Sequence, residues 1–97
     1  MTRYAITFAV VLAGLLPAAP ALACYADYKA KRSSPLQLHY GVIDLPESAC
    51  GSREAAAPVI ARRIAGDGWT LLTVMSIFGE DGLAGRRQSA GEFYLRY

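Results

Sequence analysis

The chain is poor in residues that bind metals or act as nucleophiles: it has one histidine, His39, and two cysteines, Cys24 and Cys50. Two distant cysteines and one histidine lack the clustered spacing of a zinc site. The serines fit no G-x-S-x-G or S-x-x-K pattern, and there is no C-x-x-C. The glycine-rich stretch 79–91 lacks the lysine of a phosphate-binding loop. The sequence therefore predicts no catalytic residue, no metal and no cofactor.

Strong charge of one sign is also missing. Residues 1–23 hold one of the ten basic side chains, Arg3, and none of the eight acidic ones. Residues 24–97 therefore carry nine basic and eight acidic side chains, a net charge of +1 with His39 neutral. This balance gives no electrostatic reason to expect nucleic acid or an anionic membrane as a partner.

The longest apolar run lies near the amino terminus, from Ala5 to Leu16, between Arg3 and the triplet Ala21-Leu22-Ala23. A basic start, a short apolar stretch and an A-x-A site are typical of a secretory signal peptide. The run is shorter than the roughly 20 apolar residues of a spanning helix, so no membrane span is expected after cleavage. We predict a signal peptide over residues 1–23 and one small domain over 24–97, periplasmic or secreted in a bacterium.

The two cysteines both belong to this domain. A domain of this size has a thin core that usually needs extra support, and an even cysteine count in an exported protein indicates a disulfide. A bond between Cys24 and Cys50 would tie an N-terminal arm, residues 24–35, to the rest of the domain. A second interpretation stays open, because bacterial lipoproteins carry an acylated cysteine as their first mature residue. Acylation of Cys24 would leave Cys50 unpaired.

The arm carries tyrosines three positions apart, which suits a helical turn or an irregular segment. The first strand is predicted over Leu36 to Leu45, where apolar residues alternate with others. One face of that strand would carry Leu36, Leu38, Tyr40 and Val42, and the other Gln37, His39 and Gly41. This placement leaves His39 open to solvent or to the arm, and we expect a surface or structural role for it.

Ser52 to Gly66 is predicted as a helix, with Ser52 as its N-cap. Because proline removes a backbone hydrogen bond, Pro58 predicts a regular helix that begins near Ala57. The buried face of the helix would carry alanine and isoleucine, namely Ala57, Ile60, Ala61 and Ile64.

The second strand is predicted over Trp69 to Phe78, which is apolar on both faces in places and is therefore either covered twice or used for association. The stretch 79–91 is expected to be a flexible hairpin loop, and Glu92 to Tyr97 the third strand. The order β-α-β-β predicts an α+β domain in which one helix packs on one face of a three-stranded, mainly antiparallel sheet. The arm or a second copy would cover the other face.

The segment Gly68-Trp69-Thr70-Leu71-Leu72-Thr73-Val74 resembles a small bacterial family known as domain of unknown function 4177. Leu38 to Ile43 is similar to the first strand of that family, and Phe93 to Arg96 to its last strand. The signal peptide, the cysteine pair and the long glycine loop depart from its pattern. The resemblance implies a β-α-β-β fold and transfers no activity.

Three residues are candidates for contact with a partner. Arg86 and Arg87 lie side by side in the predicted loop, where they would suit a carboxylate, a phosphate or an acidic protein. Trp69 is the third candidate, although we expect it in the core. The sequence favours a non-enzymatic periplasmic module that binds a protein partner or forms a homodimer. The alternative is a small-ligand-binding or enzymatic protein that uses His39 and the Arg86-Arg87 loop.

Overall fold

The computed structural model describes residues 24–97, and the predicted signal peptide over 1–23 lies outside the described residues. The described part contains three strands, two α-helices and three single 3₁₀ turns. The strands are β1 (Cys24–Arg32), β2 (Gln37–Leu45) and β3 (Thr70–Phe78); the α-helices are α1 (Arg53–Ala65) and α2 (Ala84–Ala90); the 3₁₀ turns are Glu47–Ala49, Glu80–Gly82 and Gly91–Phe93.

The three strands form one antiparallel sheet in the order β2-β1-β3. The predicted α+β class and the three-stranded antiparallel sheet are therefore confirmed. The sequence of elements is β-β-α-β-α, however, because one strand lies in the predicted arm and another does not form at the carboxyl end. Within residues 24–97, no helix is both long and apolar enough to cross a membrane.

The predicted arm is the central strand of the sheet, so its assignment to a helical turn or irregular segment was wrong. Ala26, Tyr28 and Ala30 are fully buried and alternate with Asp27 and Lys29 on the other face. This is the two-residue period of a strand. Two of its inward residues are alanines, whose weak apolar signal conceals the pattern among the charged residues.

The two faces of β2 are also the reverse of the prediction. His39, Gly41, Ile43 and Leu45 are buried on the α1 side, whereas Leu38 is 67% exposed. Gly41 explains why this face of β2 is turned toward the core. It pairs with Tyr28 of β1, and a Cβ at position 41 would lie 2.5 Å from the Tyr28 Oη. The large Tyr28 ring therefore requires the glycine side of β2 to face the core.

Helix α1 begins at Arg53, directly after the predicted N-cap, and the Ser52 Oγ accepts a hydrogen bond from the Ala55 N–H at 3.0 Å. The expected late start near Ala57 was wrong. Pro58 lies on the exposed side of the helix, where water can reach the carbonyl that it leaves without a partner. The helix packs on the sheet through residues of one face, namely Ala56, Ile60 and Ile64.

A disulfide joins Cys24, the first residue of β1, to Cys50, which lies shortly before α1. The predicted disulfide is thus confirmed. It fastens the start of the central strand to the helix layer, beside a core composed of Cys24, Ala26, Tyr28, Ala30, Ile43, Leu45, Ala49, Ala56, Ile60, Ile64, Trp69 and Val74.

The carboxyl-terminal region differs most from the prediction. Residues 79–91 form a 3₁₀ turn and α2 rather than a flexible hairpin loop, and Glu92 to Tyr97 do not form a third strand. The backbone of this region pairs with the free edge of β2 at Tyr94 and Leu95, where the Leu95 N–H donates to the Val42 carbonyl at 2.8 Å. The end of the tail lies on the α1 side, where the Tyr97 hydroxyl donates to Asp67 at 2.6 Å.

Candidate interaction surface

His39 is 8% exposed and enclosed by aromatic rings. Phe93 stacks on it with 3.7 Å between ring centres, and Trp69 meets it edge-on at 4.2 Å. Its Nε2 lies 2.9 Å from the Tyr28 Oη, while its buried Nδ1 has no partner among residues 24–97. The expected structural role fits this packing, although the residue faces the core and not the open side of the strand.

The electrostatic surroundings keep this imidazole neutral. Burial lowers the pKa of His39, and the positive charges of Arg32 and Arg96 lower it further, from 6.5 to about 4. A ring that stays neutral at pH 7 and whose free nitrogen is buried away from solvent is a packing element.

Trp69 is 5% exposed and belongs to the core, as expected. The Arg32 guanidinium lies over its ring, 4.2 Å from the ring centre. Arg32 also donates to the Asp67 carbonyl at 3.0 Å. The Arg32–Trp69 pair therefore covers the end of the sheet beside the turn between α1 and β3.

Asp27 is a second buried polar group, 5% exposed, on the face of the sheet opposite α1. The Ser76 hydroxyl donates to its Oδ1 at 2.6 Å, and the Tyr40 hydroxyl donates to its Oδ2 at 2.8 Å. Arg86 forms an ion pair with the same carboxylate, with 3.0 Å between Nε and Oδ2. Each side chain of this group therefore has a hydrogen-bond or ion-pair partner inside the fold.

The pKa of Asp27 reflects two opposing effects. Burial alone would raise it, but the hydrogen bonds from Ser76, Tyr40 and Arg86 outweigh burial and lower it below its usual value. Burial and the hydrogen bond to Asp27 raise the pKa of Tyr40 to about 12. The carboxylate therefore stays charged and paired near neutral pH, which suits anchoring and not proton transfer.

The two candidate arginines differ in their surroundings. Arg86 is half-buried: it stacks on Phe78, 3.9 Å from the ring centre, and donates to the Gly82 carbonyl. Arg87 is exposed, with its guanidinium 5.6 Å from the ring centre of Tyr94. His39 and Arg86 contact opposite faces of the sheet, so the structure does not bring together the residues of the alternative ligand site.

One half of the sheet face that carries Asp27 is left uncovered by the helices. Helix α2 covers the other half through Arg86 and the buried Ala90. The uncovered half, which we call the open half-face, consists of Lys29 and Lys31 from β1, Leu38 from β2 and Leu72 from β3. Leu38 is 67% and Leu72 is 51% exposed, and Leu36 extends the apolar surface beyond β2. A shallow cavity of about 280 Å³ is lined by Lys29, Ala30, Leu38, His39, Tyr40 and Leu72.

Two irregularities in β3 increase the exposure of its apolar side chains. Lys29 pairs with Thr73 and Ala30 with Leu71, so Leu72 has no partner in β1. Met75, between Val74 and Ser76, likewise has no partner in β1, and its side chain is 41% exposed. Such bulges redirect side chains and interrupt the hydrogen-bond pattern. We expected the segment Trp69 to Phe78 to carry more apolar residues than the core requires. Those residues are Leu72 and Met75, whereas Trp69 belongs to the core.

The chain matches no protein-family model, and comparisons with curated proteins and with solved structures find no similar protein. The resemblance of Gly68 to Val74 to domain of unknown function 4177 stays a prediction.

Proposed function

We propose that the chain is an exported, non-enzymatic module that binds a protein, a second copy included, through the open half-face. The observation that carries this proposal is the exposure of Leu38 and Leu72, which line one cavity on a sheet face that α2 covers only in part. Exposed apolar surface gathered on a rigid element is typical of an interaction site. Its removal from water contributes about 25 cal/mol per Å².

The buried polar groups support binding over catalysis. The His39 ring is enclosed and held neutral, and the Asp27 carboxylate is paired with Arg86. A general acid or base must reach a substrate through a hydrogen bond. Both groups instead make contacts that stabilise the fold.

The disulfide supports a periplasmic or secreted location, because oxidising compartments form and retain such bonds. The bond engages the Cys24 sulfur, which a lipid anchor would also require. It thus favours a soluble module over the lipoprotein alternative. Intact mass of the protein recovered from the cell envelope tests this part: we expect a chain that begins at Cys24, has no acyl group and has no thiol that alkylates without reduction.

Site-specific cross-linking in cells tests the binding surface. A photo-reactive residue is placed at Leu72, on the open half-face, or at Arg62, an exposed residue of α1 on the other side of the sheet. We expect a discrete covalent adduct from position 72 and none from position 62. The adduct should disappear when Leu38→Ser is added, while circular dichroism of the variant stays unchanged. Equal adducts from both positions, or none from either, would contradict the proposal.

A further inference from the structure

We propose that the partner presents an amphipathic helix that carries carboxylates beside its apolar stripe; this rests on the proposed function and specifies its partner. The juxtaposition that leads to it is a pair of lysines between two exposed leucines on the open half-face. Lys29 and Lys31 lie on the central strand, with Leu38 on one neighbouring strand and Leu72 on the other.

The dimensions of the open half-face suit a helix. Neighbouring strands lie about 4.8 Å apart, so three strands span about 10 Å between their axes, which is close to the diameter of an α-helix. Helix α1 covers the opposite face and α2 covers the other half of this one. A partner helix would thus continue a layer that the chain itself leaves incomplete.

The shape of the cavity favours side chains over a free small molecule. Pockets that enclose drug-sized ligands measure about 300–1,000 Å³ and bury most of the ligand. The cavity between Leu38 and Leu72 measures about 280 Å³, at the lower limit of that range, and its open outer side would leave a small ligand exposed. It suits one or two apolar side chains that project from a docked element.

The positive charge of the open half-face favours an acidic partner. The ion pairs among residues 24–97 join Arg63 to Asp44, Arg86 to Asp27 and Arg96 to Glu92, and none involves Lys29 or Lys31. The two ammonium groups are therefore available to carboxylates of a partner. A symmetric pair of copies docked through this face would place lysines against lysines, which disfavours a second copy as the occupant.

Two synthetic helical peptides of about 15 residues test the inference. Both carry the same leucine stripe; one has glutamates and the other lysines at the flanking positions. Each is titrated into the disulfide-bonded, signal-free protein, and amide chemical shifts are followed by NMR. We expect the glutamate peptide to bind at least tenfold more tightly than the lysine peptide and to shift the signals of Lys29, Leu38 and Leu72.

Charge reversal supplies the matched control. The double variant Lys29→Glu with Lys31→Glu should reverse the preference between the two peptides. Arg53→Glu with Arg62→Glu changes the net charge equally on exposed residues of α1 and should leave the preference unchanged.

Several results would overturn this inference: no binding of either peptide at millimolar concentration, equal affinities, or a preference that the α1 variant reverses as well. A cross-link from position 72 to a second copy would also overturn it, although it would support the proposed function. Loss of the cross-link altogether would reject the proposed function itself, so the two failures are distinguishable.

Discussion

His39 contributes to the core through the aromatic contacts and one nitrogen of its ring. The stacked Phe93 and the edge-on Trp69 supply apolar contact, and the Tyr28 hydroxyl supplies one hydrogen bond to Nε2. A proton on this ring would place a charge in a desolvated site near two arginines, which lowers the pKa to about 4 in the folded state. The unfolded chain binds that proton at an ordinary pKa of 6.5, so the folded state holds fewer protons between the two values.

We therefore expect acid to destabilise the protein in a defined range. The contribution of His39 is fully present above pH 6.5 and is lost as the pH falls toward about 4, and the free energy of unfolding decreases by about 3 kcal/mol over that range. Urea unfolding at several pH values measures the loss. His39→Phe keeps the stacking and removes the titration, so its stability should change less with pH. Parallel curves for the two proteins would contradict the assignment.

Gly41 provides a second test at the residue scale. A Cβ at this position would lie 2.5 Å from Oη and 2.6 Å from Cζ of Tyr28, whose ring is fully buried and hydrogen-bonded to His39. Gly41→Ala should lower the free energy of unfolding by about 1–3 kcal/mol through overpacking. At Gly51 nothing lies within 4 Å of the added carbon, so Gly51→Ala should change stability by less than about 0.5 kcal/mol. Equal stabilities of the two variants would show that Tyr28 does not occupy this place.

At the scale of single elements, one long-range ion pair holds helix α2 in place. The helix has seven residues and no side-chain cap, so its own backbone gives it little stability. Arg86 fastens it to Asp27 of the central strand, and the same side chain stacks on Phe78 of β3. The pairing also neutralises a carboxylate that is buried in the middle of the sheet face.

Replacement of this arginine should therefore detach α2 and leave the buried Asp27 charge without its cation. We expect Arg86→Met to lower the free energy of unfolding by about 2 kcal/mol. Its neighbour Arg87 is exposed, and Arg87→Met should have almost no effect. Chemical denaturation of both variants provides the comparison, and a loss at Arg86 no larger than at Arg87 would disprove the anchoring role.

Elements with a strong local signal could be predicted from the sequence. The serine cap and the isoleucine spacing predict α1, the alternation predicts β2, and the cysteine count predicts the disulfide. Elements that depend on distant residues could not. The sequence does not reveal that Arg86 of α2 reaches Asp27, or that the Tyr28 ring selects the Gly41 side of β2 for the core. The face of β2 decides which leucines are exposed, so the open half-face was missed with it.

Stability of the whole molecule depends on the disulfide, because a domain of this size buries a limited apolar core. Cys24 and Cys50 are 26 positions apart in the sequence, and their bond closes a loop that contains β1 and β2. The bond therefore restricts the unfolded chain over the part that supplies the central strand.

The variant that carries both Cys24→Ser and Cys50→Ser should lose about 3.5 kcal/mol of stability, the loop-entropy value for a ring of this size. Thermal unfolding of the variant and of the oxidised protein measures the difference. Addition of a reductant to the oxidised protein should lower its stability to that of the variant. An unchanged midpoint in the variant would mean that the bond does not support the domain.

The proposed binding site requires that half of one sheet face is ordered and that the chain itself leaves it uncovered. The most direct measurement is paramagnetic relaxation of side-chain methyl groups by a soluble gadolinium chelate, at protein concentrations low enough to avoid association. We predict fast relaxation of the Leu38 and Leu72 methyls and slow relaxation of those of Ile43 and Ile60, which are fully buried on the other face. Protection of Leu38 and Leu72 as strong as that of Ile60 would show that the chain covers this surface itself, and the proposed binding site would not exist.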